Sequence, residues 1–187
     1  LKRGLPLAYP GMKIGLFGGT FDPAHEGHAH VAETALKRLD LDRVWWLVTP
    51  QNPLKPKSSS LKSRMASARA LAPGSKHIVT DLETQLGRHY TFETLRALKA
   101  LYPGVRFVFV MGADNLASFR KWKNWREVAE AAPMAVISRP GVPARDRTRM
   151  PPGWTWISAR LHPQSSTAVR AAKRPPKQAA VAKRKPG

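Results

Sequence analysis

Short apolar runs of strand length alternate with helix-spaced segments along this chain, and most of the connections between them are short. Lys13–Phe17 (KIGLF) is an apolar run that meets Gly18-Gly19, which predicts a buried strand followed by a tight turn. Beyond the turn, Val31, Ala32, Ala35, Leu36 and Leu39 recur at helical spacing within 27–39. Arg43–Val48 (RVWWLV) reads as the next strand, the Pro/Ser-rich stretch Thr49–Ser60 as a loop, Lys62–Leu71 as a helix and His77–Thr80 as a short strand. Phe92, Leu95, Leu98 and Leu101 mark an amphipathic helix with Thr91 as its N-cap, closed by Pro103-Gly104. Arg106–Met111 (RFVFVM) has the clearest strand pattern. It is followed by a helix near Asn124–Ala131, strands at Met134–Ser138 and Trp154–Ile157, and a short helix at Ser166–Ala172. Repeated β-then-α units of this length predict the α/β class, with a doubly wound, mostly parallel sheet. Such sheets bind ligands outside the carboxyl ends of their strands, where the strand order reverses. The end of the first strand is therefore the place to look for chemistry.

At 187 residues the chain has room for one such domain, and composition narrows its chemistry. There is no cysteine, which excludes disulfide scaffolds, zinc ribbons, iron–sulfur clusters and thiol catalysis. No apolar run approaches the roughly 20 residues of a membrane span, and no signal-peptide core follows Lys2-Arg3, so a soluble, cytoplasmic protein without a membrane partner is expected. The formal charge of +20 favours polyanionic ligands. Six of those cations lie in 171–187, an Ala/Pro/Lys stretch without large apolar residues that is expected to be a disordered basic tail. Removing it leaves +14, and no acid follows Asp146. A tail of this kind is read as a solubilising end rather than a specific nucleic-acid arm. The Pro140, Pro143, Pro151 and Pro152 cluster marks a surface loop, and residues 1–12, which open on Leu1 and reach Met12, are set apart as an N-terminal extension. The domain proper is then 13–170.

The segment Gly18-Gly19-Thr20-Phe21-Asp22-Pro23-Ala24-His25-Glu26-Gly27-His28 has the parts of a phosphate site. Two glycines let backbone N–H groups approach an anion, and a helix starting near Gly27 adds unpaired N–H groups and the positive end of its dipole. His25 and His28, at i and i+3, share one face of that first turn. The segment is not a Walker A loop, since no Gly-Lys-Ser/Thr follows, and GLFGG breaks the Gly-x-Gly-x-x-Gly dinucleotide spacing. His25, His28 and His30 could instead be read as a metal cluster, but one short run of histidines without a distant partner makes a poor cage. Phosphate handling is the better reading.

These eleven residues resemble the G-G-T-F-D-P-x-H-x-G-H signature of the bacterial nicotinate-nucleotide adenylyltransferases, a family of H-x-G-H nucleotidyltransferases. Further blocks follow in the family's order. Thr49-Pro50-Gln51-Asn52-Pro53-Leu54-Lys55 is similar to its loop after the second strand, and His89–Leu95 to its S-Y-T-x-x-T-L segment. Met111–Leu116 with Trp122 and Trp125 resembles the G-x-D-x-L…W-x-x-W block, Ser138–Gly141 the S-R-P-G turn, and Ser165–Arg170 the S-S-T-x-I-R motif. Gln164 and Val169 stand where that last motif has isoleucine, and the basic tail stands where the family continues into a further helix.

The resemblance implies a Rossmann-like nucleotidyltransferase fold and transfer of the adenylyl group of ATP to nicotinate mononucleotide by direct in-line attack, with Mg²⁺ held mainly by the ATP phosphates rather than by side chains. The attacking phosphate monoester, with a second pKa of about 6, is already mostly dianionic at neutral pH, so the reaction needs no general base. Positioning and charge neutralisation remain. By resemblance His25 and His28 are the catalytic pair. Gly18, His28, Lys55, Gly112, Asp114, Ser166, Thr167 and Arg170 are expected to bind ATP. Gly19, Thr20, Phe21, His25, Tyr90, Thr91 and Trp122 are expected to hold the pyridine nucleotide, with Trp122 stacking on its ring and the Thr91 N–H facing its carboxylate. Trp125 is read as a core anchor and Asp22 as turn and cap chemistry. Nicotinamide mononucleotide or another small acceptor on the same scaffold is the alternative substrate. A nucleic-acid-binding protein is the distant one, opposed by aromatics that lie in apolar strands instead of a basic stripe. A homo-oligomer is left open.

Overall fold

The computed structural model describes residues 4–50, 58–138 and 150–159. Six strands form one sheet in the order β3-β2-β1-β4-β5-β6, and every neighbouring pair is parallel. They are β1 (Lys13–Gly19), β2 (Arg43–Val48), β3 (His77–Thr80), β4 (Arg106–Gly112), β5 (Met134–Ile137) and β6 (Thr155–Ile157). The order runs outward from β1 in one direction and from β4 in the other, so the switch point falls between these two central strands. The helices are α1 (Glu26–Arg38), α2 (Leu61–Leu71), α3 (Leu82–Gln85), α4 (Thr91–Leu101), α5 (Leu116–Phe119) and α6 (Trp125–Ala131).

The period-two alternation of the strands divides the core cleanly. Ile14, Leu16, Trp45, Leu47, Phe107, Phe109 and Met111 face one layer, with Leu82 of α3, Leu95 and Leu98 of α4, Phe119 of α5 and Val128 of α6. Phe17, Val44, Trp46, Val48, Val108 and Val110 face the other, with Val31, Ala32 and Ala35 of α1 and Met65 and Ala68 of α2. Strands covered on both faces can be apolar throughout, which is why RVWWLV and RFVFVM read as continuous runs.

Several boundaries differ from expectation for local reasons. β1 does not stop at Phe17: Gly18 and Gly19 stay in register with Leu47 and Val48 of β2, and the turn begins at Thr20. Thr91 is the first helical residue of α4, and the extended Tyr90 is its N-cap. The four-residue helices α3 and α5 were not anticipated, because one turn is too short to show a period. The extension drawn at 1–12 is packed into the domain over its described part. Leu5 is buried in the larger core cluster, the Tyr102 hydroxyl donates to the Pro6 carbonyl at 2.8 Å, and the Gly11 N–H donates to Gly104 O at 2.8 Å. The segments 171–187, Ser166–Ala172 and Pro140–Pro143 lie outside the described residues.

Candidate active site

At the carboxyl end of β1 the two glycines face opposite layers. Gly19 turns toward α1, where the Phe21 ring folds back over it. A Cβ at Gly19 would lie 2.8 Å from Phe21 Cζ, closer than carbon atoms approach, so this packing admits only glycine. The chain reaches that arrangement through a positive φ of 51° at Phe21, a left-handed conformation uncommon for a bulky residue. Packing holds it there: the Phe21 ring is 1% exposed, with Trp46 at 5.2 Å, Phe17 at 5.5 Å and His28 at 5.0 Å between centroids. Gly18 turns toward the other layer, where a Cβ would meet Phe109 Cζ at an ordinary 3.4 Å. Phe109 in turn packs edge-on against Trp122 at 6.1 Å.

The turn leads directly into α1. His25 is the N-cap on extended backbone and is 3% exposed, while His28, three residues on, is half-buried. Their rings lie 3.8 Å apart, tilted by 34°. The His25 backbone N–H donates to His28 Nδ1 at 3.2 Å. Since Nδ1 accepts there, the neutral His28 ring carries its proton on Nε2 and can donate from that atom. The Thr20 hydroxyl is buried with no hydrogen-bond partner among the described residues. Asp22 does not cap α1. Its Oδ2 accepts the Ser59 N–H at 3.0 Å, so its turn chemistry is a latch onto the chain entering α2.

Sequence reasoning passed over Arg64 entirely. It lies in the first turn of α2 and is 2% exposed, among the most deeply buried large side chains of the protein. Its guanidinium donates to four backbone carbonyls: Nε to Ser59 at 2.9 Å, Nη1 to Thr20 at 2.9 Å and Thr49 at 2.7 Å, and Nη2 to Pro50 at 2.6 Å. Burial lowers its pKa, and the nearby Asp22 charge opposes that shift. Either Arg in LKSRMASARAL looks like a solvated helix residue, and no local signal marks Arg64 as the buried one.

Across the switch point, β4 ends at the buried Gly112, and the turn Ala113–Asn115 places Asp114 at the surface beside it. Tyr90 and Thr91 form the start of α4 and are half-buried. The Tyr90 ring stacks on Phe92 at 6.2 Å, and Lys123 Nζ lies 5.2 Å from its centroid. That contact brings the segment after α5 against the start of α4, so Tyr90, Thr91 and Trp122 share one region. Trp122 and Trp125 are both half-buried around Phe119, at 5.3 and 6.0 Å. Trp125 is further covered by Arg120 and Arg126, which suits an anchoring role. Beneath Tyr90 and Thr91, the Thr94 hydroxyl donates to Glu83 Oε1 at 3.1 Å, and burial pushes the Glu83 carboxyl up to about 7. His77 serves the scaffold: it accepts from Trp46 Nε1 and pairs with Glu33, and burial lowers its pKa.

Among the described residues no group of three or more His, Asp or Glu side chains is arranged to hold a metal ion. Nor is any described helix long and apolar enough to cross a membrane. Lys55, Ser166, Thr167 and Arg170 lie outside the described residues.

Residues 16–172 of this parallel α/β domain match the cytidylyltransferase-like family, and the chain is a nucleotidyltransferase. The fold is similar to that of a Plasmodium falciparum nicotinic acid mononucleotide adenylyltransferase solved with NaAD. The TM-score is 0.71 at 19% identity, over 86% of this chain and 83% of that one. Much nearer in sequence is a protein of Roseobacter denitrificans named "Probable nicotinate-nucleotide adenylyltransferase", 49% identical over 91% of this chain and 97% of its own length. One of the same name from Caulobacter sp. (strain K31) is also 49% identical, over 85% and 97%. The chain belongs to the nicotinate-nucleotide adenylyltransferase family.

Proposed function

We propose that the protein transfers the adenylyl group of ATP to nicotinate mononucleotide, forming nicotinate adenine dinucleotide and pyrophosphate in NAD biosynthesis. The observation that carries this reading is the closely paired His25 and His28 rings at the start of α1, beside the switch point between β1 and β4. A phosphate oxygen of the mononucleotide attacks the ATP α-phosphorus, a new P–O bond forms, and the bond from that phosphorus to the bridging oxygen breaks as pyrophosphate departs. Nothing in this step needs deprotonating. The protein's work is alignment of two phosphates and stabilisation of the charge that builds on the leaving group.

Each part of the site has a use in that step. The N–H groups at Gly19–Thr20, the buried Thr20 hydroxyl and His25 receive the mononucleotide phosphate and the reacting α-phosphate. His28, with Nε2–H as donor, contacts the ATP phosphates. Gly18 leaves its face of the strand open toward Phe109, and Gly112 and Asp114 meet the ATP ribose from β4. Lys55, Ser166, Thr167 and Arg170 take the departing pyrophosphate. Mg²⁺ would be carried in on the ATP phosphates, where a hard ion that keeps most of its waters would offset the charge of the leaving pyrophosphate. The pyridine ring stacks on Trp122 with Phe21 and Tyr90 nearby, and its carboxylate faces the Thr91 N–H. The Lys123 ammionium beside Tyr90 adds a cation on that side, which favours nicotinate over the neutral amide. Such an enzyme works in the cytoplasm on small-molecule partners, with no specific nucleic acid required.

The test is pyrophosphate release from ATP and Mg²⁺ with nicotinate mononucleotide, nicotinamide mononucleotide or no acceptor. Release at least tenfold faster with the nicotinate form is expected. Comparable rates with both acceptors would widen the substrate class, and no release from folded protein would overturn the reading.

A further inference from the structure

The buried Arg64 is not a residue the reaction calls for, yet its guanidinium donates four hydrogen bonds. Its four carbonyl partners come from three separate places: Thr20 just after β1, Thr49 and Pro50 just after β2, and Ser59 before α2. Thr49 closes the square, because its own N–H donates to Gly19 O at 3.0 Å. Two further ties run parallel to the guanidinium, one to a carboxylate and one to a neutral hydroxyl. Ser59 N–H binds Asp22 Oδ2, and Ser67 Oγ accepts the Ala24 N–H at 2.9 Å. The start of α2 therefore grips the turn at residues 20, 22 and 24, immediately ahead of His25.

We propose that the start of α2 is the positioning platform of the adenylyl-transfer site and that Arg64 is its principal residue. This rests on the function proposed above but is not part of it, since Arg64 bonds backbone carbonyls alone. The Thr20–Phe21 unit needs such a hold: a left-handed Phe21 persists only where its surroundings over-determine it. The Thr20 carbonyl is fixed from behind by Arg64, so its peptide and the His25–His28 pair that follows are set before any nucleotide arrives. In-line displacement rewards that rigidity, because small misalignments of reacting phosphates cost large factors in rate. The guanidinium matters as a planar fork. A lysine keeps the charge but, as a single ammonium with three donors, cannot span four carbonyls from three segments.

The experiment compares Arg64→Lys with wild type and with Met65→Ala, a substitution one residue along that removes buried apolar volume under α2 but none of the guanidinium's hydrogen bonds. Two readouts are taken, the histidine ring ¹H–¹³C signals without substrate, and kcat and KM for ATP and nicotinate mononucleotide at a temperature where all three proteins are folded. In Arg64→Lys the His25 and His28 signals should move while exposed His89 stays, and kcat should fall at least thirtyfold with each KM within threefold. Met65→Ala should lose comparable thermal stability yet keep kcat within threefold. Unmoved His25 and His28 signals, or a kcat near wild type, would overturn the proposal, as would an equal kcat loss in Met65→Ala. If the wild type releases no pyrophosphate, the substrate reading fails, and the ring signals alone decide the role of Arg64. If Arg64→Lys does not fold, Ser67→Ala replaces it. Removal of that one neutral tie should shift the same two ring signals and lower kcat at least threefold, and silence in both would refute the platform.

Discussion

The two halves of the site are built by different means. The turn from Gly18 to His28 is held by polar ties to α2 and the residues before it, of which the Arg64–Thr20 bond is buried, by a glycine whose Cβ would collide with Phe21, and by the Phe21 ring wedged against Trp46. The ledge formed by Tyr90, Phe92, Trp122 and Lys123 is half-exposed or exposed. Its α4 side meets the segment after α5 through the Lys123 cation over Tyr90 and the surface pair Arg96–Glu127 at 2.8 Å. Exposed ion pairs contribute about 0–1 kcal/mol, whereas hydrogen bonds to a buried charge contribute about 1.5–3 kcal/mol each. The chemistry explains the difference. Phosphoryl transfer tolerates little misplacement, so its half is fixed in advance, while a flat ring that only has to stack can dock on an adaptable surface.

The largest expected effect follows from that rigidity. His25→Ala and His28→Ala should each lower kcat at least a hundredfold, equivalent to about 2.7 kcal/mol of transition-state stabilisation. The melting temperature should change by only a few degrees, since the turn keeps its ties to α2. Steady-state pyrophosphate release on the folded variants checks this. Near-wild-type turnover by either would remove the imidazoles from phosphate handling.

The ledge has one deeply buried polar tie, Glu83 to Thr94, and it titrates against stability. The folded carboxyl keeps its proton up to about pH 7, whereas the unfolded one releases it near 4.5. Between those values the native state binds more protons than the unfolded state, so stability falls as pH rises through the window and levels off above it. At roughly 1.4 kcal/mol per pKa unit the loss approaches about 3 kcal/mol. Glu83→Gln keeps an acceptor for the Thr94 hydroxyl and has no proton to lose. It should match wild type near pH 4 and exceed it at pH 8 in urea unfolding. An offset independent of pH would mean that the buried carboxyl stays charged.

The sheet was legible because its strands are apolar runs between helical periods, and the phosphate turn because its residues are contiguous. Tyr90, Thr91 and Trp122 could be named from motif blocks, but their meeting depends on how α4 and the segment after α5 pack. Arg64 was invisible for a related reason, since nothing in its own helix reveals the three chain segments that converge on it. The glycine pair lies between these cases. Both positions were marked for close approach, yet only the strand's alternation shows that they answer to different neighbours. Gly19→Ala should cost about 1–3 kcal/mol as Phe21 is displaced. Gly18→Ala, facing an ordinary contact with Phe109, should cost under about 1 kcal/mol. Denaturant unfolding of both variants separates them, and equal losses would contradict the opposed facing.

Trp122 sharpens the contrast at the smallest scale. Its ring is half-buried against Phe109 and Phe119, so part of it remains available to a ligand, and the proposed stacking of a pyridine ring there would be worth about 0.5–1.5 kcal/mol. Trp122→Ala should therefore raise KM for nicotinate mononucleotide about fivefold to tenfold and leave KM for ATP within twofold. Trp125 has the same exposure class but is flanked by Arg120 and Arg126, so Trp125→Ala should lose stability without that selective KM effect. If both tryptophans change KM equally, the ledge acts as a packed unit and Trp122 has no private contact with the ring. If Trp122→Ala instead lowers kcat with KM unchanged, the ledge is coupled to the turn through Phe109, the side chain that lies between Gly18 and Trp122. The two halves would then share one rigid frame.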